Sequence, residues 1–135
     1  MMSVYSRKQF GDRLTADLAT ATLTGYKVVP DPRAIDLDDP SIRCVLQIVR
    51  QRIVPSPENP RGGFGETHEL WVVTSVTDPD LVEDALDDRL AEVIEILDEI
   101  PFITWSSAER RIHGSNRHAF MISIQLETQK EESDD

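Results

Sequence analysis

Residues Val54–Val73 read "VPSPENPRGGFGETHELWVV", and how the chain passes through this stretch decides the fold. Before it, Ile42 to Val54 alternates like a strand, with Ile42, Cys44, Leu46 and Ile48 on one face and Arg43, Val45, Gln47 and Val49 on the other. Pro55, Pro57 and Pro60 cannot donate to a ladder and end that strand, and Gly62, Gly63 and Gly65 keep the return path flexible. After it, "ETHELWVVTSV" is a second strong strand. A phosphate-cradling glycine loop sits between a strand and a helix, so that helix-terminal amides face the anion. Here a strand follows and the cradle's lysine is missing, so the stretch predicts a long-tipped antiparallel hairpin.

Working outward, Phe10, Leu14, Leu18 and Ala21 recur at helical steps within Val4 to Thr22, and Gly25 is a stop signal. "YKVV" is a short strand closed by "PDP", and "RAIDLDDPS" is an acidic connection. Beyond the hairpin, Asp78 suits an N-cap and Pro79 a first turn. Val82, Leu86, Leu90, Val93, Leu97 and Ile100 then form an apolar stripe that Pro101 stops. The outer face of this helix carries Glu83, Asp84, Asp87, Asp88, Glu92, Glu95 and Asp98, relieved only by Arg89. Two further strands, "FITWSSAERRIH" and "HAFMISIQLET", flank the turn "GSNR", and the tail "QKEESDD" is too polar to pack.

This order predicts a single α+β domain over residues 1–128 with a disordered acidic tail over 129–135. The expected architecture is a mostly antiparallel, curved sheet of four to five strands with two helices packed on one face. The other face is then left with Val45, Val49, Trp71, Val73 and Trp105. A monomer rarely leaves such a patch open, so either the sheet curls on itself or a second subunit covers it.

The 135 residues suit one compact domain, and 39% hydrophobic with 29% charged residues is an ordinary globular composition. No apolar run reaches membrane-spanning length, the N-terminus lacks a signal-peptide core, and the single Cys44 fits synthesis in a reducing, intracellular place. A net charge of −11 argues against phosphate-driven nucleic-acid binding. It fits both an acidic cytosolic protein and a protein lining a channel for DNA.

No constellation in the sequence reads as an active site, and no metal or cofactor is expected. His68, His113 and His118 lack zinc-ligand spacing, Ser106 and Ser107 lack a nucleophile elbow, and Asp84, Asp87 and Asp88 are splayed along a helix. Glu127 and Lys130 have the wrong spacing for a nuclease pair. The arginines are more informative: Arg50 and Arg52 end the first strong strand, Arg61 lies in the hairpin loop, and Arg110 and Arg111 end a later strand. They either complement the acidic helix of a neighbouring copy, as head-to-tail ring closure would require, or neutralise acids of their own subunit.

The succession of these elements resembles the tail terminator proteins of long-tailed bacteriophages, particularly those infecting actinobacteria. The resemblance rests on a helix running into "LTGYKVVPDPRAID", an arginine-bearing loop before "HELWVVTS", the segment "DPDLVEDALDDRLAEVIEILDEIPFITWSSAER", and the closing strand "HAFMISIQLET". It spans the chain to about residue 128 and includes no catalytic signature. It implies a non-enzymatic virion protein at the tail–neck junction, forming a six-membered ring on the finished tail tube. Such a ring ends polymerisation and joins the tail to the head-completion (stopper) complex. Its implied partners are further copies of the chain, the major tail tube protein and the head-completion protein. Genome DNA would pass through its channel without specific binding, with no membrane involved. The residues expected at subunit or tail-tube contacts are Arg50, Arg52, Arg61, Phe64, Trp71, Asp84, Asp87, Asp88, Arg110 and Arg111. The alternatives are another neck or head–tail connector protein, or a small cytosolic enzyme built around His68, His118 and a carboxylate.

Overall fold

The computed structural model describes residues 2–4, 7–30, 40–55, 64–114, 117–126 and 128–130. Its elements are β1 (Met2–Val4), α1 (Arg7–Thr20), β2 (Tyr26–Val29), β3 (Cys44–Pro55), β4 (Phe64–Thr74), α2 (Val82–Asp98), β5 (Ile103–His113), β6 (Arg117–Leu126) and β7 (Thr128–Lys130). Five strands form one mixed sheet in the order β2-β3-β4-β6-β5. β2 runs parallel to β3, and the other neighbours are antiparallel. The fold is therefore α+β with two helices, and β3 and β4 pair across the hairpin in the antiparallel sense the proline and glycine signals required.

One face of the sheet carries the core. Leu46 and Ile48 of β3, Leu70 and Val72 of β4, and Ile122 and Ile124 of β6 pack with Phe10, Leu14 and Leu18 of α1 and Val93, Ile96 and Leu97 of α2. Burying each such side chain contributes about 1.5–3 kcal/mol, and the period-2 and period-3.6 patterns converge on this one interface. Gly11 sits mid-helix because α1 lies close to the sheet there: a Cβ would stand 3.2 Å from the Pro30 Cβ.

Several boundaries differ from the sequence reading for local reasons. α1 ends at Thr20, before Gly25, because Leu23 N–H donates to Leu18 O and Thr22 N–H to Ala19 O. This is a Schellman turn with Thr22 at positive φ, 56°, where glycine is usual. Ala21 lies past the helix and is exposed. Gly25, at φ 84°, instead turns the chain into β2, its carbonyl accepting from Arg43 and Cys44 N–H. α2 begins at Val82, not at Pro79, because Asp78 closes a separate turn. Its carboxylate accepts from Asp80 N–H at 2.9 Å and its carbonyl from Leu81 and Val82 N–H. β4 stops at Thr74, whose hydroxyl accepts from Val76 N–H at 3.1 Å.

Met2–Val4 is a strand and not the start of the first helix, and it pairs antiparallel with Thr128–Lys130. The tail expected to be free from residue 129 thus contributes Gln129 and Lys130 to that ladder. Residues 131–135 lie outside the described residues.

The second face is closed by curvature. Val45 and Val73 are wholly buried there with Val29 and Ala119, and Ile42 and Trp71 pack against them. Ile42 thus lies on this side, since it precedes the strand and does not share its alternation. Trp105 falls on the opposite, helix-facing side. A β-bulge between Trp105 and Ser107 resets the alternation, and the Trp105 indole N–H donates to Asp98 Oδ1 of α2 at 3.1 Å.

Candidate interaction surfaces

Where strand, hairpin and helix ends meet, side chains of different elements form three polar clusters. The first joins α2 to β5 and β6. Arg110 donates to both Glu83 oxygens, at 2.6 and 3.2 Å, and lies 2.8 Å from His118 Nδ1. It also donates to the carbonyls of Arg111 and Ala119. That fork holds the Glu83 carboxyl below its ordinary range, the hydrogen bond from Arg110 being the main cause. Arg111 pairs with Glu109 two residues away at 2.6 Å. Within the single chain, Arg110 and Arg111 each pair with an acid of their own subunit.

The second cluster holds α2 against β2. Tyr26 donates to Glu92 Oε1 at 2.6 Å, Arg89 pairs with Glu92 at 2.9 Å, and the Arg89 guanidinium lies 5.7 Å from the Tyr26 ring centre. Burial, reinforced by the Glu92 bond, pushes the Tyr26 hydroxyl well above its ordinary range. Glu92 and Arg89 are thereby removed from the exposed face of α2. Burial likewise pushes the Cys44 thiol up to about 12, so this cysteine is an inert core residue.

The third cluster lies under the curl of the sheet. His113 Nε2 is 2.6 Å from Gln47 Oε1, and its ring meets Trp71 edge-on at 5.3 Å. The Trp71 indole N–H donates to Glu69 at 3.0 Å. Trp71, expected at an intermolecular contact, is half-buried within its own chain.

The remaining expected contact residues divide by position. Asp84, Asp87 and Asp88 are exposed on the outer face of α2, as is Glu95, and none forms an ion pair with another described residue. Arg50, Arg52 and Phe64 lie in β3 and β4, with side chains outside the described part of the molecule, and Arg61 lies outside the described residues altogether.

The histidines do not converge. His68 is wholly buried on the helix-facing side of β4, opposite Ile124. His118 lies at the far end of the partner strand, about 20 Å away at 3.3 Å per residue along β6. The pocket uniting His68, His118 and a carboxylate, which an enzyme reading would need, is not formed. A groove of about 770 Å³ runs instead between α1 and α2, lined by Arg13, Asp17, Glu92, Glu95, Asp98 and Glu99 among others. Its arginine serves the fold: Arg13 pairs with Asp17 at 2.9 Å and donates to the Glu99 carbonyl beyond the end of α2. Among the described residues, no three acidic, histidine or cysteine side chains are grouped to hold a metal ion, and no helix is long and apolar enough to cross a membrane. Compared with known proteins, the chain matches no protein-family model and is similar to no curated protein.

Proposed function

We propose that this chain is a structural protein of a long-tailed phage particle, a tail terminator that closes into a six-membered ring on the tail tube and meets the head-completion complex. The observation that carries the reading is the outer face of α2. Asp84, Asp87, Asp88 and Glu95 stand exposed there without an ion-pairing partner among the described residues, on a chain whose net charge is −11. Like charge along one helix, with no ion-pairing partner among the described residues, is a cost to a lone subunit and an asset against a basic neighbour. It also suits a channel through which DNA must slide without sticking. Because Arg110 is held by Glu83, two carbonyls and His118, the basic half of this ring contact is assigned to Arg50, Arg52 and Arg61.

The β3–β4 hairpin fits the same role. Its tip, residues 56–63, joins two long strands and carries the proline and glycine content of a segment that takes its final path against a neighbour. Electron microscopy of the purified protein, alone and with isolated tail tubes, tests the reading. Six-fold rings, or caps of that symmetry on tube ends, support it. Failure to bind tubes in either form rejects it, and rings located elsewhere in the neck reassign the chain to a connector. Deleting Pro57–Gly63 is expected to leave a folded monomer that no longer ends tails; tails of normal length from that variant would refute the role of the hairpin.

A further inference from the structure

The two edges of the main sheet differ in how they are protected. β2 has four residues, runs parallel to its neighbour and is followed at once by Pro30. β5 has eleven, and within the sheet it pairs only with β6. Of its residues only Ile103 is buried, and it contains no proline, glycine or lysine. The bulge between Trp105 and Ser107 interrupts its first part and leaves Ser107–His113 as a regular run that pairs with no described strand besides β6. At its centre the Arg110 and Arg111 guanidinium groups donate to each other's carbonyls at 3.1 and 3.4 Å, side-chain contacts that an added strand would replace. Such an edge is a template for strand addition.

We infer that this edge pairs with the same edge of a second copy, antiparallel about a two-fold axis at Arg110. Two observations select that register. The midpoint of the regular run Ser107–His113 is Arg110, so a two-fold there uses the whole run and avoids the bulge. The same register sets Glu109 opposite the partner's Arg111 and Arg111 opposite the partner's Glu109. Within one chain these two side chains already meet at 2.6 Å and are 46% and 47% exposed, so both can turn to a cross-strand partner on the face away from the helices. On the helix-facing side the register sets Ile112, 50% exposed and one of two large apolar side chains so open among the described residues, opposite the partner's Ala108. Ile112 lines a surface hollow of about 480 Å³ beside Glu83, Arg110 and His118. The two Arg110 side chains nearest the axis do not oppose each other as free charges, because each is held by its own Glu83.

The contact is isologous and closes at two chains, which separates it from the head-to-tail contact of a ring. The inference therefore stands apart from the terminator reading. It joins two five-stranded sheets into one and removes the open edge from solution.

The test is light scattering during size exclusion across a wide concentration range, on the wild type, Glu109→Arg, Arg111→Glu and an equimolar mixture of the two variants. The wild type is expected to pass from one to two chains per particle. Each variant sets like charges opposite each other twice and is expected to weaken pairing about tenfold or more. In the mixture every cross-strand pair is again opposite in charge, so the two-chain particle returns. Neither variant regains its internal Glu109–Arg111 contact there, so recovery cannot come from repaired folding. Circular dichroism of each variant verifies the fold, and the double variant Glu109→Arg/Arg111→Glu, which is expected to pair like the wild type, is the second reading. A wild type with one chain at all concentrations overturns the inference. So do variants that pair as the wild type does, a mixture that stays apart, or a six-chain particle indifferent to both charges.

Discussion

His113 Nε2 lies 2.6 Å from Gln47 Oε1, although β6 and β4 separate their strands in the sheet. In a flat sheet three strand spacings would set β5 and β3 about 14 Å apart. The bond therefore records how far the sheet curls. With the Trp71 edge contact, it shields the side of the sheet that the helices leave open. His113→Ala is expected to cost about 1–2 kcal/mol of stability, read as a lower urea midpoint with an accompanying change in Trp fluorescence.

The same histidine makes stability depend on pH. Burial holds its imidazole below the ordinary value of 6.5. The unfolded chain then binds the proton more readily than the folded one. Its effect is absent above the unfolded value and grows as pH falls from there through the folded value. Thermal melts should thus move down as the pH drops from about 7.5 to 5.5, and His113→Asn should flatten that slope. Glu83 acts in a separate, more acidic window. Its carboxyl lies below the ordinary 4.5, so its contribution is present above that value and is lost as pH falls through the folded one.

Arg110 anchors more than an ion pair, since it also serves two carbonyls and touches His118. Arg110→Ala is expected to cost about 1–3 kcal/mol, and Glu83→Gln distinctly less, because the glutamate side chain is 62% exposed and screened by solvent. Arg110→Lys should recover only part of the loss, as an ammonium cannot reproduce the two-pronged contact. Chemical denaturation of the three variants ranks them.

Thr22 occupies the left-handed position that ends α1, at φ 56°. A β-branched residue is strained there, by about 1–2 kcal/mol. Thr22→Gly is therefore expected to raise stability by up to about 1 kcal/mol, part of the gain being offset by glycine's greater freedom when unfolded. A calorimetric midpoint a few degrees above the wild type is the expected outcome, and an unchanged or lower one would show that the Thr22 turn carries little strain.

Asp84, Asp87 and Asp88 repel one another at helical spacings of three and four. Changing all three to Asn is expected to leave the melting temperature unchanged or slightly raised and, on the proposed terminator function, to abolish ring formation and tube binding. Normal assembly by that variant would remove the acidic face from the proposed contact.

The α+β class, the hairpin and the core face were legible in the sequence, because they rest on short-range periodicity. Cys44, Leu46 and Ile48 alternate, Val82 to Ile100 repeats at helical steps, and proline and glycine mark the turn between two strands. The acidic face of α2 was equally legible as a row of charges, and so was the clustering of arginines near strand ends. The partners of those arginines were not. Arg110 meets Glu83 across 27 residues of chain, and only the packing of α2 beside β5 brings them together. Nor could periodicity foresee the bulge that moves Trp105 to the helix side, the parallel seating of β2, or the ladder between the chain's first and last described strands. These depend on where distant segments come to rest. The fate of the second face was likewise a choice between curvature and a partner until tertiary structure brought His113 over Gln47. Local pattern selects which side of each element is apolar; only the closed sheet determines what lies against it.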